Sequence, residues 1–275
     1  MIAQRAPAKV NLLLHVGGTR PDGLHEICSL FAPIDLADEL ELEPLAADAR
    51  DVVVCEGVEG ANLVEVALAA FRASGADLPP LRVEVRKQIP VAAGLGGGSA
   101  DAAAVLRAAN ELSARPLAME RLRAVAAGIG ADVPSQLDPR PALVTGAGET
   151  VEPVDLPELA LALVPASGLE TAAVYAEADR LGSPRERLDP SAARALAASP
   201  VGELAAGLEN DLEPAALSLR PELAARLEEL GAAGALAARV TGSGPSVFGL
   251  FRDAEAAGSA ASRVPGARVA IVLAE

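Results

Sequence analysis

The chain predicts a packed globular fold that mixes β-strands with α-helices, with a soft domain boundary near residue 150, and three observations carry that reading. Apolar residues make up 51% of 275 residues, with glycine and proline scattered as punctuation, which excludes a disordered chain. The first third is rich in the period-two alternation of half-buried strands. A glycine-rich turn around residues 90–99 joins such an alternating run to an alanine-rich segment of high helix propensity, so strand, loop and helix follow one another.

Taken in order, residues 9–16 alternate Val10, Leu12, Leu14 and Val16 with Lys9, Asn11, Leu13 and His15, the pattern of a strand with one buried face. Thr19-Arg20-Pro21-Asp22-Gly23 ends it as a turn. Residues 25–34 read as a second strand, and 39–43, with Glu39, Glu41 and Glu43, as a separate exposed one. Helices are expected over 62–74, 99–112 and 119–127, the last stopped by Gly128, and a strand carries Leu81, Val83 and Val85. Residues 130–134 read as a turn that holds Asp132 between a glycine and a proline. Strands at 142–145 and 159–165 bracket a turn at 146–149. Helices then follow at 170–180, 191–198, 201–208, 221–230 and 254–262, with strands at 236–240, 247–251 and 267–273. A second glycine-rich turn, Thr241-Gly242-Ser243-Gly244-Pro245-Ser246, separates two of those strands.

A formal charge of −15 argues against a nucleic-acid or anionic-membrane surface, so an anionic substrate needs a local basic pocket. Of 23 basic residues only Lys9 and Lys87 are lysines, which marks both as places where a compact ammonium is wanted. Cys28 and Cys55 lack metal-ligand spacing and are expected buried and reduced. Asn11 and His15 interrupt the one signal-like stretch, and no run approaches the ~18 apolar residues of a membrane span, so the chain is expected to be cytoplasmic.

Gly94, Gly96, Gly97 and Gly98 open backbone angles closed to other residues and let the main chain approach a ligand directly. With the amides and positive dipole end of the following helix, such a turn suits the oxygens of a polyphosphate. It is not a Walker loop, because no Gly-Lys-Ser/Thr follows, and it echoes the dinucleotide fingerprint only loosely. Blander readings stand beside these. Ser99, Asp101 and Asp132 suit helix caps, His25 a turn edge, Tyr175 a half-buried helix face, and Ser243 and Ser246 plain turn formers.

Three segments in this order, Pro7-Ala8-Lys9-Val10-Asn11-Leu12, the glycine loop of 90–103 and Thr241 to Ser246, give a chain that resembles the GHMP small-molecule kinases. Arg20-Pro21-Asp22-Gly23-Leu24-His25-Glu26, Gly130-Ala131-Asp132-Val133-Pro134 and Asn210-Asp211-Leu212-Glu213 point to the branch whose acceptor carries a cytidine diphosphate. The resemblance implies an α+β fold of two domains, 1–150 and 151–275, with the active site in the cleft between them. It implies ATP with its phosphates on Pro90, Gly94, Leu95, Gly96, Gly97, Gly98 and Ser99. Asp132 would take the proton from the substrate hydroxyl, with Lys9 beside it. His25, helped by Asn11, would read the cytosine edge, Tyr175 would stack on the base, and Thr241, Gly242 and Ser243 would touch the substrate. Mg²⁺ is expected with ATP, with no protein ligand named. Where the family has aromatics, this chain has Leu24 and Ser135, which bears on cytosine binding more than on phosphoryl transfer. The alternatives are a GHMP kinase of the homoserine or mevalonate type and a nucleotide-binding protein without turnover.

Overall fold

The computed structural model describes residues 1–57 and 62–273. They form two compact units, one of residues 1–8, 36–57, 62–91 and 96–139, the other of residues 9–35, 92–95 and 140–273. The first two strands, β1 (Ile2–Thr19) and β2 (His25–Pro44), each contribute to both.

In the first unit the later part of β2 pairs antiparallel with β4 (Leu81–Arg86), which pairs in parallel with β3 (Val52–Cys55). The register sets Leu40 against Val85 and Leu42 against Val83 on the buried face. On the other face Glu39 opposes Arg86 and Glu43 opposes Arg82, so two of the three glutamates expected to be exposed are cross-strand partners of arginines, while Glu41 opposes Glu84. Helices α1 (Leu63–Ala73), α2 (Gly97–Leu112), α3 (Met119–Ala127) and α4 (Val133–Gln136) complete the unit. Asn62 caps α1 by accepting from the Val64 amide at 2.9 Å. The alanines of α2 serve packing as well as propensity, since Ala100, Ala102, Ala103, Ala104, Ala108 and Ala109 are all buried and let neighbouring elements approach closely.

In the second unit the earlier part of β2 pairs with β5 (Ala142–Gly146), which forms a hairpin with β6 (Thr150–Pro153). A separate antiparallel sheet runs in the order β10 (Arg268–Ile271), β7 (Ala160–Val164), β9 (Val247–Phe251), β8 (Ala237–Val240). Around it lie α5 (Thr171–Leu181), α6 (Pro190–Ala197), α7 (Val201–Ala206), α8 (Glu213–Leu219), α9 (Leu223–Ala232) and α10 (Ala254–Arg263). Each unit has its own core, one centred on Phe71 and α2, the other on Phe251 and the second sheet.

Several expectations are corrected. The strand expected with one buried face at 9–16 is the middle of an 18-residue strand that is buried on both faces from Ala6 to Leu14. The strands at 25–34 and 39–43 are one, continuous through Asp35 to Asp38. The turn at 130–134 leads straight into α4, whose first turn accepts Pro134 because that position needs no amide. Helix α2 starts two residues before Ser99, and Gly96 occupies the cap position in the left-handed conformation at φ +70°, so neither Ser99 nor Asp101 caps it. β3, β6 and α8, each of four to seven residues, are additional.

Candidate active site

In the second unit, β1 carries Lys9 and Asn11 inward. Lys9 is buried, and its ammonium donates to Asn11 Oδ1 at 2.6 Å and lies 4.6 Å from the centre of the Phe31 ring. Asn11 is held from three sides. Its amide nitrogen Nδ2 donates to Ser29 Oγ at 2.8 Å, its backbone N–H donates to Thr241 Oγ1 at 2.8 Å, and its Oδ1 accepts from Lys9. A buried ammonium fixed by a fixed amide has lost its rotamer freedom before any ligand arrives, which is the preorganisation that charge stabilisation requires.

The turn between β8 and β9 packs on this pair. Gly242, at φ +57°, lies so close that a Cβ there would stand 3.0 Å from Asn11 Oδ1 and 3.6 Å from Lys9 Nζ. Asn210 fastens the turn by donating to the carbonyls of Val240 and Gly242, both at 2.8 Å. Ser243 Oγ shares a hydrogen bond with Thr171 Oγ1 at 3.0 Å, and Ser246 Oγ accepts from the Ala166 amide at 3.1 Å. The start of the glycine loop joins the cluster. The Lys9 amide donates to the Leu95 carbonyl at 3.0 Å, and a Cβ on Gly94 would meet the Gly244 carbonyl oxygen at 2.6 Å. Lys9, Asn11, Gly94, Leu95, Thr241 and Gly242 are thus brought together, with Ser243 next along the turn.

A second group in the same unit contains His25 and Tyr175, whose ring centres are 5.0 Å apart with planes inclined by 35°. His25 Nε2 lies 2.8 Å from Asp179 Oδ1 and 3.4 Å from Thr19 Oγ1. Leu24 beside it is 51% exposed.

In the first unit the rest of the glycine loop opens α2. The first hydrogen bond of the helix runs from the Ala100 amide to the Gly96 carbonyl at 2.9 Å, so the amides of Gly97, Gly98 and Ser99 precede the intrahelical ladder and carry the positive end of the dipole. A Cβ on Gly97 would stand 2.9 Å from Ile89 Cγ2 and 3.4 Å from Lys87 Nζ. Pro90, half-buried, ends the segment that leads into the loop. Asp132 is half-buried at the cap position of α4, but its side chain makes no capping hydrogen bond; Ser135, itself buried, donates its hydroxyl to the Asp132 carbonyl at 2.8 Å.

Sequence reasoning noticed Lys87 without giving it a role. Its ammonium donates to Asp101 Oδ2 at 2.7 Å and to Asp38 Oδ2, while Asp38 Oδ1 also accepts from the amides of Gln88 and Ile89. Asp38 is wholly buried and Asp101 is 4% exposed. Burial pushes the Asp101 carboxyl up to about 7, against the pull of Lys87. Two carboxylates clamp one ammonium under the first turn of α2, so this lysine supports the glycine loop from below. Among the described residues no group of three or more His, Cys, Asp or Glu side chains is placed to hold a metal ion.

Residues 62–144 match the GHMP kinases N terminal domain and residues 192–269 the GHMP kinases C terminal domain. The chain belongs to the GHMP kinases, and it is an ATP-dependent phosphotransferase of small molecules. Among individual relatives, it is 41% identical over 270 residues to the 4-diphosphocytidyl-2-C-methyl-D-erythritol kinase of Streptomyces coelicolor, covering 93% of this chain and 89% of that one. The protein of the same name from Nocardia farcinica is 42% identical over 281 residues, covering 97% and 90%. The crystal structure of a 4-(cytidine 5'-diphospho)-2C-methyl-D-erythritol kinase superposes with a TM-score of 0.80 at 35% identity over the whole of both chains. Homoserine kinase from Cytophaga hutchinsonii, at 22% identity and a TM-score of 0.70, shares the fold.

Proposed function

We propose that this kinase transfers the γ-phosphoryl group of ATP to the 2-hydroxyl of 4-diphosphocytidyl-2-C-methyl-D-erythritol, a step of non-mevalonate isoprenoid precursor synthesis. The observation that carries the substrate is the 41–42% identity, over nearly the whole chain, to proteins named for that activity. The geometry supports the chemistry through the fixed ammonium of Lys9.

In this reading Asp132 accepts the proton of the acceptor hydroxyl as its oxygen forms the new bond to phosphorus, and the bond from phosphorus to the bridging oxygen of ADP breaks. Phosphoryl transfer asks the protein mainly to align the reactants and to offset charge. Lys9, held by Asn11, offsets the charge on the transferring group. Pro90, Leu95 and the backbone of Gly94, Gly96, Gly97, Gly98 and Ser99 hold the ATP phosphates, and Mg²⁺ neutralises part of the phosphate charge. Asn11, Thr241, Gly242 and Ser243 hold the acceptor, while His25 reads its cytosine edge and Tyr175 covers the base.

A coupled ADP-release assay over a panel of alcohols tests the proposal. The cytidine-linked acceptor is expected to exceed unlinked methylerythritol, homoserine and mevalonate in kcat/KM by orders of magnitude, since a site built to hydrogen-bond a base loses those bonds when the base is absent. Equal turnover of unlinked methylerythritol would remove the base site, and preference for homoserine or mevalonate would replace the proposed acceptor.

A further inference from the structure

His25 opens β2 with its side chain only 9% exposed, and its Nε2 lies 2.8 Å from Asp179 Oδ1. Asp179 stands on α5 four residues after Tyr175, the spacing that puts two side chains on one helix face. One face of α5 therefore supplies His25 with both an aromatic neighbour and a carboxylate.

The carboxylate has a chemical consequence for the ring. An ionised carboxylate only accepts hydrogen bonds, so the nitrogen facing it must carry the proton. A neutral imidazole has one N–H, so once Nε2 holds it Nδ1 is left with the lone pair. Thr19 Oγ1, 3.4 Å from Nε2, can accept from the same N–H and does not reverse the assignment. A pyrimidine base is distinguished at its 4-position, where cytosine presents an amino donor and the oxo bases present a carbonyl acceptor. A ring with its lone pair on Nδ1 can accept from the first and meets the second with two lone pairs in opposition.

We infer that Asp179 is a positioning residue that fixes the tautomer of His25, so that the histidine accepts from a base carrying an amino group and disfavours one carrying a carbonyl. The inference rests on the proposed reading of the base by His25. In the absence of Asp179 either tautomer is open to the ring, and the Nδ1–H form donates to the 4-carbonyl of uracil. Preference between cytidine- and uridine-linked acceptors then relaxes, whereas stacking against Tyr175, which depends little on the identity of the base, is retained.

Two readouts on the full chain test this. The chain has only two histidines, so two-bond ¹H–¹⁵N correlation spectra of labelled protein, assigned with His25→Ala, report the His25 tautomer directly. At a pH about two units above the ordinary imidazole value of about 6.5, wild type is expected to show the Nε2–H form alone and Asp179→Ala a mixture of the two tautomers. In steady-state kinetics at the same pH, Asp179→Ala is expected to lower the cytidine-over-uridine ratio of kcat/KM on the order of 10-fold, the loss falling on KM for the cytidine-linked acceptor. An Nδ1–H wild-type ring, a tautomer or ratio that stays at its wild-type value in Asp179→Ala, or an equal loss on both acceptors would overturn the inference. If His25→Ala leaves the ratio unchanged, base reading by His25 itself fails, whatever the tautomer.

Discussion

The two glycine-rich segments, 94–99 and 241–246, look alike as strings and differ in what they present. The second is a hairpin turn in which Thr241, Ser243 and Ser246 hydroxyls and the Gly242 carbonyl all have hydrogen-bond partners. The first runs into a 16-residue helix whose leading amides have no place in the intrahelical ladder. Glycine in 241–246 permits close approach to Asn11 and Lys9, whereas glycine in 94–99 permits close approach and opens a helix whose leading amides carry the dipole. Richness in glycine is thus not by itself an anion site. What decides is where the amides stand: those of Gly97, Gly98 and Ser99 lie at the positive end of a helix dipole, whereas 241–246 is a turn between two strands with no such field.

The largest expected effect leaves both segments intact. Asp132→Asn should keep ATP affinity near wild type and lower turnover about 10²–10⁴-fold, the usual contribution of a general base. Calorimetry and steady-state rates measured together separate these effects, and an active variant would remove Asp132 from the chemistry.

Next comes Gly96→Val, placed at φ +70° at the cap of α2. A β-branched residue there costs about 1–2 kcal/mol of stability. By forcing the leading amides out of line it should also weaken ATP binding about 10–150-fold, the range for hydrogen bonds to a charged group. Unchanged affinity in the folded variant would show that the leading amides do not hold phosphate.

The clamp under α2 has a pH signature. The Asp101 carboxyl is raised in the folded chain to about 7, through burial, above its ordinary value. A raised folded value means that stability from this group is full below the unfolded value near 4 and is lost as pH rises through about 7. Between pH 5 and 8, the unfolding free energy of wild type from denaturant titration should therefore fall relative to that of Asp101→Asn, by on the order of 2 kcal/mol. Parallel profiles would mean that Asp101 is ionised throughout.

The sequence made some of this legible and hid the rest for identifiable reasons. Helices α2 and α3 and the β8–β9 hairpin follow from local signals, an alanine-rich run opened by glycine, a helical segment closed at Gly128 and two strand-like runs around a glycine turn. β3, β6 and α8 are too short for a period to register, and what makes them regular is pairing or packing with distant residues. Asp101 reads as a helix cap because the cap itself is a glycine, which leaves no side-chain signal. The clamp joins Lys87 to residues 49 and 14 positions away, and His25 meets Asp179 across 154, so residue spacing could not reveal either. The scarcity of lysine was the one clue to Lys87. The placing of Lys9 and Asn11 against Thr241, 230 residues on from Asn11, could be anticipated only through resemblance.

The smallest expected effect belongs to the second segment. Thr241→Val keeps the shape and removes the acceptor of the buried Asn11 amide, which should cost about 1–3 kcal/mol of stability and raise KM for the acceptor alcohol, with KM for ATP unmoved.

The division of labour between the two segments is tested most directly by calorimetric titration of Gly96→Val and Thr241→Val, each with ATP and each with the cytidine-linked acceptor. The account predicts that Gly96→Val loses affinity for ATP and keeps it for the acceptor, while Thr241→Val keeps ATP and loses the acceptor. Loss of ATP binding in Thr241→Val, with Gly96→Val binding ATP as wild type does, would contradict it.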